Sequence, residues 1–225
     1  MKIKTPLSKE RIRTHMTYSA WKYLVVVLAS IFGWNLLYTM TAYRSPEHLR
    51  IDTYIQTATA TNEDVDTFFK PIWEEVVPDM ETVTSVLLTS TTSDDYYANM
   101  QLSVYIMAGE GDIYILTTDD FKQYAAQGAF IDLSSYIENG MLDVNGIDIS
   151  AGYVATVDSE GLPTGEKQLF GIPAYTLDGF KTNMNIYNND LVIGITSFSH
   201  NEENTIKFAN ALIDACRTEE TPVQQ

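Results

Sequence analysis

Apolar positions fall into distinct regimes along this chain. From Tyr23 to Tyr43 a run of 21 residues, YLVVVLASIFGWNLLYTMTAY, contains no charged side chain. As a helix it would be about 30 Å long, the thickness of a bilayer's hydrocarbon core. Trp21, Tyr23, Tyr38 and Tyr43 lie near its ends, where amphipathic rings favour the headgroup level. Beyond it the apolar period alternates between strand and helix. Residues 50–55 (RIDTYI) read as a strand, followed by a polar loop over 57–62. Val65, Phe68, Phe69, Ile72, Trp73, Val76 and Val77 then form one wide helical face. Asn62 is placed as the cap of that helix, with Glu63, Asp64 and Asp66 at the positive end of its dipole. Pro71 is expected to kink it and Pro78 to end it.

Residues 82–88 (TVTSVLL) predict a β-branched strand, and Ser93 a cap for the next helix. That helix is expected to turn Tyr97, Met100, Val104, Met107 and Ala108 inward and to stop at Gly109. Residues 112–116 (DIYIL) have the unbroken apolar character of a buried parallel strand. Thr118 then caps a short helix through Gln127, closed by Gly128. Strand and helix repeated three times predict an α/β domain with a parallel sheet wrapped by helices.

After Gly128 the pattern loosens. Residues 130–137 suggest a short helical turn, Asn139-Gly140 and Asn145-Gly146 suggest turns, and 158–168 a loop. Strands are expected over 169–175, 180–187 and 191–196. Ser199 and Glu202 have the spacing of a capping box opening a last helix to about Ala215, and 218–225 read as a disordered tail. Cys216 is expected in the core near the end of that helix.

Charge sharpens the division. Residues 1–22 hold six basic side chains against Glu10, a net +5, whereas residues 44–225 hold 8 basic and 29 acidic ones, a net −21. The positive-inside rule keeps such an N-terminus in the cytoplasm and sends the acidic remainder across. A cleaved leader has a shorter apolar run and a small-x-small site, but the one candidate site, before Tyr43, puts Met40 where a small residue is wanted. A soluble core helix is disfavoured too, because nothing else in the chain could cover 21 residues that are apolar all round. The expected organisation is a basic cytoplasmic segment (1–22), an uncleaved signal anchor in the lipid bilayer (23–43), an outward-facing domain (44–217) and the tail (218–225). Asn35 and Gly33 within the span allow a helix–helix contact.

The same numbers narrow the chemistry. A net charge of −16 excludes a nucleic-acid binder by electrostatics. One cysteine excludes an internal disulfide, and His15, His48 and His200 are scattered. No Gly-x-Ser-x-Gly, His-Glu-x-x-His, Walker loop or GxGxxG occurs, so no enzyme activity and no cofactor is expected. Asp94-Asp95 and Glu74-Glu75 read as solvated charge, and Asp143, Asn145 and Asp148 lack the glycine spacing of a calcium loop.

Four segments together carry a family resemblance. QLSVYIMAGE (101–110) and GDIYILTTDDFKQYAAQGAFIDLSSYI (111–137) resemble the helix, strand, polar loop, helix and "G-x-x-x-D-L" turn of extracellular solute-binding proteins of ABC importers. LFGIPAY (169–175) resembles that family's "YGIP" strand, and LVIGITSFSHNEENTIKFANALI (191–213) its late strand and "S-x-N-x-E-x-A-x-x-F" helix. The resemblance implies a periplasmic-binding-protein-like (type 2) α/β domain with a complete first lobe and a reduced second one. Residues 179–191 are short where the family inserts most of its second lobe, and a membrane span replaces its lipid-attached cysteine. It also implies a small polar solute, carbohydrate among the candidates, and ABC importer membrane subunits as partners.

In open α/β sheets ligands sit beyond the carboxyl ends of the strands. Thr57, Thr59, Thr117, Thr118 and Asp119 are therefore the candidate ligand-binding residues of the first lobe, with Tyr175 and Asp178 approaching from the second. Asp119 also suits the start of a helix, and a threonine-rich loop suits plain solvation. Because a clamp needs two lobes of comparable size, the alternative is a docking or sensory module acting through protein contacts at the membrane.

Overall fold

The computed structural model describes residues 9–88, 96–157, 161–162 and 164–217. The Ser93 cap, the loop after residue 88, part of the 158–168 loop and the 218–225 tail lie outside the described residues. The chain divides into two compact units, 1–44 and 45–225.

The first unit is a single helix, α1 (Lys9–Thr41), whose stretch Arg13–Thr41 is long and apolar enough to cross a membrane. Hydroxyl groups toward its C-terminal end bond within the helix. Ser30, Thr39 and Thr41 each donate to the carbonyl four residues back, at 2.8, 2.8 and 2.7 Å. Such bonds let polar residues sit in an apolar helix without an orphaned donor.

The second unit is built on a five-stranded sheet. Its elements in chain order are β1 (Arg50–Gln56), α2 (Asn62–Val76), β2 (Thr82–Leu88), α3 (Tyr96–Ala108), β3 (Ile113–Thr117), α4 (Thr118–Ala126) and α5 (Ser134–Glu138). There follow β4 (Tyr153–Val154), β5 (Gln168–Leu169), β6 (Gly171–Pro173), α6 (Gly179–Met184), β7 (Leu191–Ile195) and α7 (Glu202–Cys216). The strand order is β2-β1-β3-β7-β6. β1 pairs parallel with β2 and β3, as the βα repeats predict, but β7 runs antiparallel to both β3 and β6, so the sheet is mixed. β4 and β5 form a separate antiparallel pair.

Both faces of the sheet are covered, and the strands read accordingly as continuous apolar runs. Ile51, Ile55, Ile113, Ile115, Ile193 and Ile195 point to one layer, where Phe69 of α2, Phe180 of α6 and Phe208 of α7 pack. Tyr54, Tyr114, Leu116 and Val192 point to the other, against Leu102 of α3 and Phe121 of α4. Gly179 shows how tight the first layer is, since a Cβ there would lie 2.4 Å from the Cys216 backbone. Cys216 itself is fully buried, and burial pushes its thiol up to about 12.

Several expectations need correction. α3 turns Ala98 and Leu102 inward, with Tyr97, Met100, Val104 and Met107 in solvent, the reverse of the expected face. Both stripes are apolar, so periodicity could not choose between them. The segment expected as a strand over 180–187 instead opens with a helix, α6: Phe180 and Met184, four apart, suit either period, and both are buried on the helical one. Asn185 then ends it in the left-handed conformation at φ 55°. The run 169–175 is split between β5 and β6 in two sheets. The Ser199–Glu202 capping box does not form. Ser199 donates to Asp112 at 2.6 Å, and Glu202 accepts from the Tyr136 hydroxyl. α2 is capped one residue earlier than expected, by Thr61, whose Oγ1 accepts the Asp64 N–H at 3.3 Å.

Candidate functional site

The carboxyl ends of β1 and β3 lie side by side and close into a polar rim. Gln56, the last residue of β1, is nearly buried among apolar strands. Its Oε1 accepts the Thr117 backbone N–H at 3.0 Å, and its Nε2 donates to Asp120 Oδ2 at 2.8 Å. Thr117 Oγ1 donates to the same carboxylate oxygen at 3.1 Å. One amide side chain thus ties the end of β1 to the start of α4. Neither Gln56 nor Asp120 was among the expected site residues. A lone amide ending an otherwise apolar strand was the available signal, because a buried amide needs partners.

Thr57 continues the rim, its backbone N–H bonded to the Leu88 carbonyl at 3.1 Å. Thr59 Oγ1 donates to the Asn185 carbonyl at 2.5 Å, and Asn185 Nδ2 returns a bond to the Thr59 carbonyl at 3.0 Å. Thr118 donates its N–H to the Asp190 carbonyl at 2.9 Å, anchoring the start of α4 to the turn before β7. Asp119 is exposed in the first turn of α4. These five residues are therefore neighbours at one end of the sheet.

Tyr175 and Asp178 follow β6, which runs parallel to β3 with β7 between them. Their strand accordingly ends at the same pole, two strands away from β3. Tyr175 is partly exposed and is tied to Asp148; partial burial first, then that carboxylate, raise its phenol above the usual range. Asp148 is lowered in turn, first by the Ser150 N–H at 3.0 Å, then by the Ser150 hydroxyl and Tyr175. The Asp178 carbonyl accepts from the Lys181 and Thr182 N–H groups, both at 3.0 Å, opening α6. Buried Asn188 holds this turn by donating to the Ala174 and Leu177 carbonyls at 2.5 and 3.0 Å. Thr59 and Asn185 tie the loop after β1 to the C-terminal end of α6.

A second polar cluster occupies the opposite pole, at the amino ends of the strands. A cavity of about 240 Å³ there is lined by Glu47, Arg50, Asp52, Glu110, Asp112 and His200, among others. Arg50 pairs with Asp52 at 2.9 Å. Asp112 is buried and accepts from the Asp52 N–H at 2.9 Å and from Ser199. Desolvation raises its carboxyl above the usual carboxylate range, and those two bonds only partly offset it. These groups hold the chain's entry in place, with His200 on Glu47 at 3.0 Å and Asn201 on the His48 carbonyl at 2.9 Å. Asp143 is engaged by Arg217 at 2.8 Å, so its part is structural. Among the described residues no group of three or more acidic, His or Cys side chains is placed to hold a metal ion.

No protein-family model and no curated protein matches the chain. Solved structures do, and those it is similar to are extracellular solute-binding proteins. A family 1 member from Alicyclobacillus acidocaldarius is 16% identical over 58% of this chain and 29% of its own, with a TM-score of 0.41. An ABC substrate-binding protein of Listeria monocytogenes, solved in complex with cycloalternan, is 25% identical over 54% of this chain and 28% of its own, with a TM-score of 0.33. A family 1 member from Bifidobacterium longum is 20% identical over 55% of this chain and 27% of its own, at 0.34. The chain thus spans less than a third of the length of each.

Proposed function

We propose that this chain is a membrane-anchored domain of the solute-binding class that captures a small polar solute, of carbohydrate type, outside the cell and works with the membrane subunits of an ABC importer. It does no chemistry on that solute. The observation that carries the reading is the polar rim at the carboxyl ends of β1 and β3, where Gln56, Thr117 and Asp120 close on one another. Thr118 and Asp119 stand beside them at the opening of α4, where exposed hydroxyl and carboxylate groups can bond sugar hydroxyls. Thr57 and Thr59 would extend that surface, with Tyr175 and Asp178 approaching it from the end of β6 at the same pole, two strands from β3. The uncharged 23–43 segment, basic before and acidic after, supports the anchor and its orientation.

Thermal unfolding of the full chain in nanodiscs, against a panel of mono- and oligosaccharides, tests this. A ligand at 100 times its Kd should add about 2.7 kcal/mol to stability. The shift should vanish in Asp119→Ala. No shift with any sugar, amino acid or peptide would overturn solute capture.

A second reading, a docking module without a solute, is favoured by one observation: the long apolar side chains that α3 presents to solvent. Capture of an importer subunit unaffected by any solute would select it.

A further inference from the structure

α3 has two apolar faces, one buried and one exposed. Ala98 and Leu102 are buried against the sheet, with Tyr105 and Ile106 partly so. Tyr97, Met100, Val104 and Met107 lie on the other side at steps of three, four and three, and Met107 is 86% exposed. That is the spacing of a helix–helix seam. Not one of the helix's 13 residues is charged, in a region that carries a net −21.

We propose that this face pairs two copies of the chain, α3 against α3, about a two-fold axis passing near Val104. Three features favour a second copy over other occupants. A seam of this spacing is self-complementary when two copies meet in opposite directions, the commonest symmetry of oligomers. Two strongly acidic domains repel each other on approach, and an uncharged helix lets them touch without facing carboxylates. Together with Tyr96, the stripe leaves on the order of 600 Å² of mainly apolar side chain in water on each copy. That approaches the roughly 800 Å² per partner of a standard interface. A shared membrane raises the local concentration of copies, and this strengthening alone rests on the anchored reading.

The test uses the full chain in detergent and in nanodiscs. Cys216 is the one native cysteine and is fully buried, so an introduced thiol reports alone. Val104→Cys should form a disulfide-linked dimer under mild oxidation, while Glu63→Cys, exposed on α2 against the other sheet face, should not. Val104→Glu should weaken the wild-type dimer at least tenfold by light scattering, while the melting temperature taken at a dilution where both chains are monomeric stays unchanged. A wild-type chain that stays monomeric at 50 µM (roughly the top of a micromolar association range) and a Val104→Cys that stays uncrosslinked would overturn the proposal. So would an environment-sensitive dye on Val104→Cys that is shielded in a monomer only when lipid is present. A domain found on the cytoplasmic side would refute the anchored orientation and leave this contact standing; a monomer would do the reverse.

Discussion

Gln56 is the side chain on which the polar rim depends, and Gln56→Leu isolates its contribution. Leucine fills nearly the same volume at a nearly buried position but neither accepts nor donates. Two bonds disappear: the 3.0 Å bond from the Thr117 N–H and the 2.8 Å bond to the Asp120 carboxylate. A neutral bond contributes about 1 kcal/mol and one to a charged group about 1.5–3 kcal/mol. The Thr117 N–H is left without its partner at a half-buried site, so the loss is about 2–4 kcal/mol in total. For a domain of this size each kcal/mol moves Tm by about 2–4 °C, and circular dichroism melts should show a drop of roughly 5–15 °C. Gln56→Glu adds a sign. A carboxylate facing Asp120 is repelled while both are ionised, so this variant should be weakest at neutral pH and recover as pH falls through the carboxylate range. A Gln56→Leu domain melting within 1 °C of wild type (about 0.3 kcal/mol) would refute the triad as the element that orders the rim.

Other expectations concern single groups. Thr53 Oγ1 is fully buried with no hydrogen-bond partner, so Thr53→Val should raise Tm by a few degrees, about 1 kcal/mol; a fall would mean that the hydroxyl is satisfied. Gly179→Ala forces a Cβ onto the Cys216 backbone, and chemical denaturation should register a loss of about 1–3 kcal/mol; unchanged stability would show that α6 can slide away from α7. Asp112 holds its proton more tightly folded than unfolded, so its contribution to stability is lost as pH rises from the ordinary carboxylate range through its raised value. Asp112→Asn should flatten the melting profile in that window, and an unchanged profile would assign the slope to other groups.

The βα core was legible because each strand there is a short apolar run bounded by polar or turn residues. β2 has the expected bounds, β1 runs one residue longer at its end, and β3 is shifted by one residue at both ends. Direction was less legible. Nothing local in LVIGI distinguishes an antiparallel strand from a parallel one, because β7 is buried along its whole length. α3 misled for a physical reason: its two stripes have equal claim to the core, and only the sheet's Tyr54 and Tyr114, packed near Tyr105, decide which one is used. Ser199 and Glu202 had the spacing of a cap, but Asp112 and Tyr136, far away in sequence, compete for them. At the rim the threonines were legible only as residues that follow strand ends, which a position in the fold supplies without any motif. Gln56 was missed because its role depends on Asp120, 64 residues away.

Residues 23–43 are proposed to hold the acidic α/β domain outside the cell. An alkaline phosphatase fused after Gln225, a reporter that folds only outside the cytoplasm, addresses this most directly when read in intact cells beside a cytoplasmic reporter at the same position. An anchored, outward-facing domain requires an active phosphatase, a silent cytoplasmic reporter, and a fusion that stays with the membrane after carbonate washing. The opposite pattern would contradict it, as would release of the fusion into the medium.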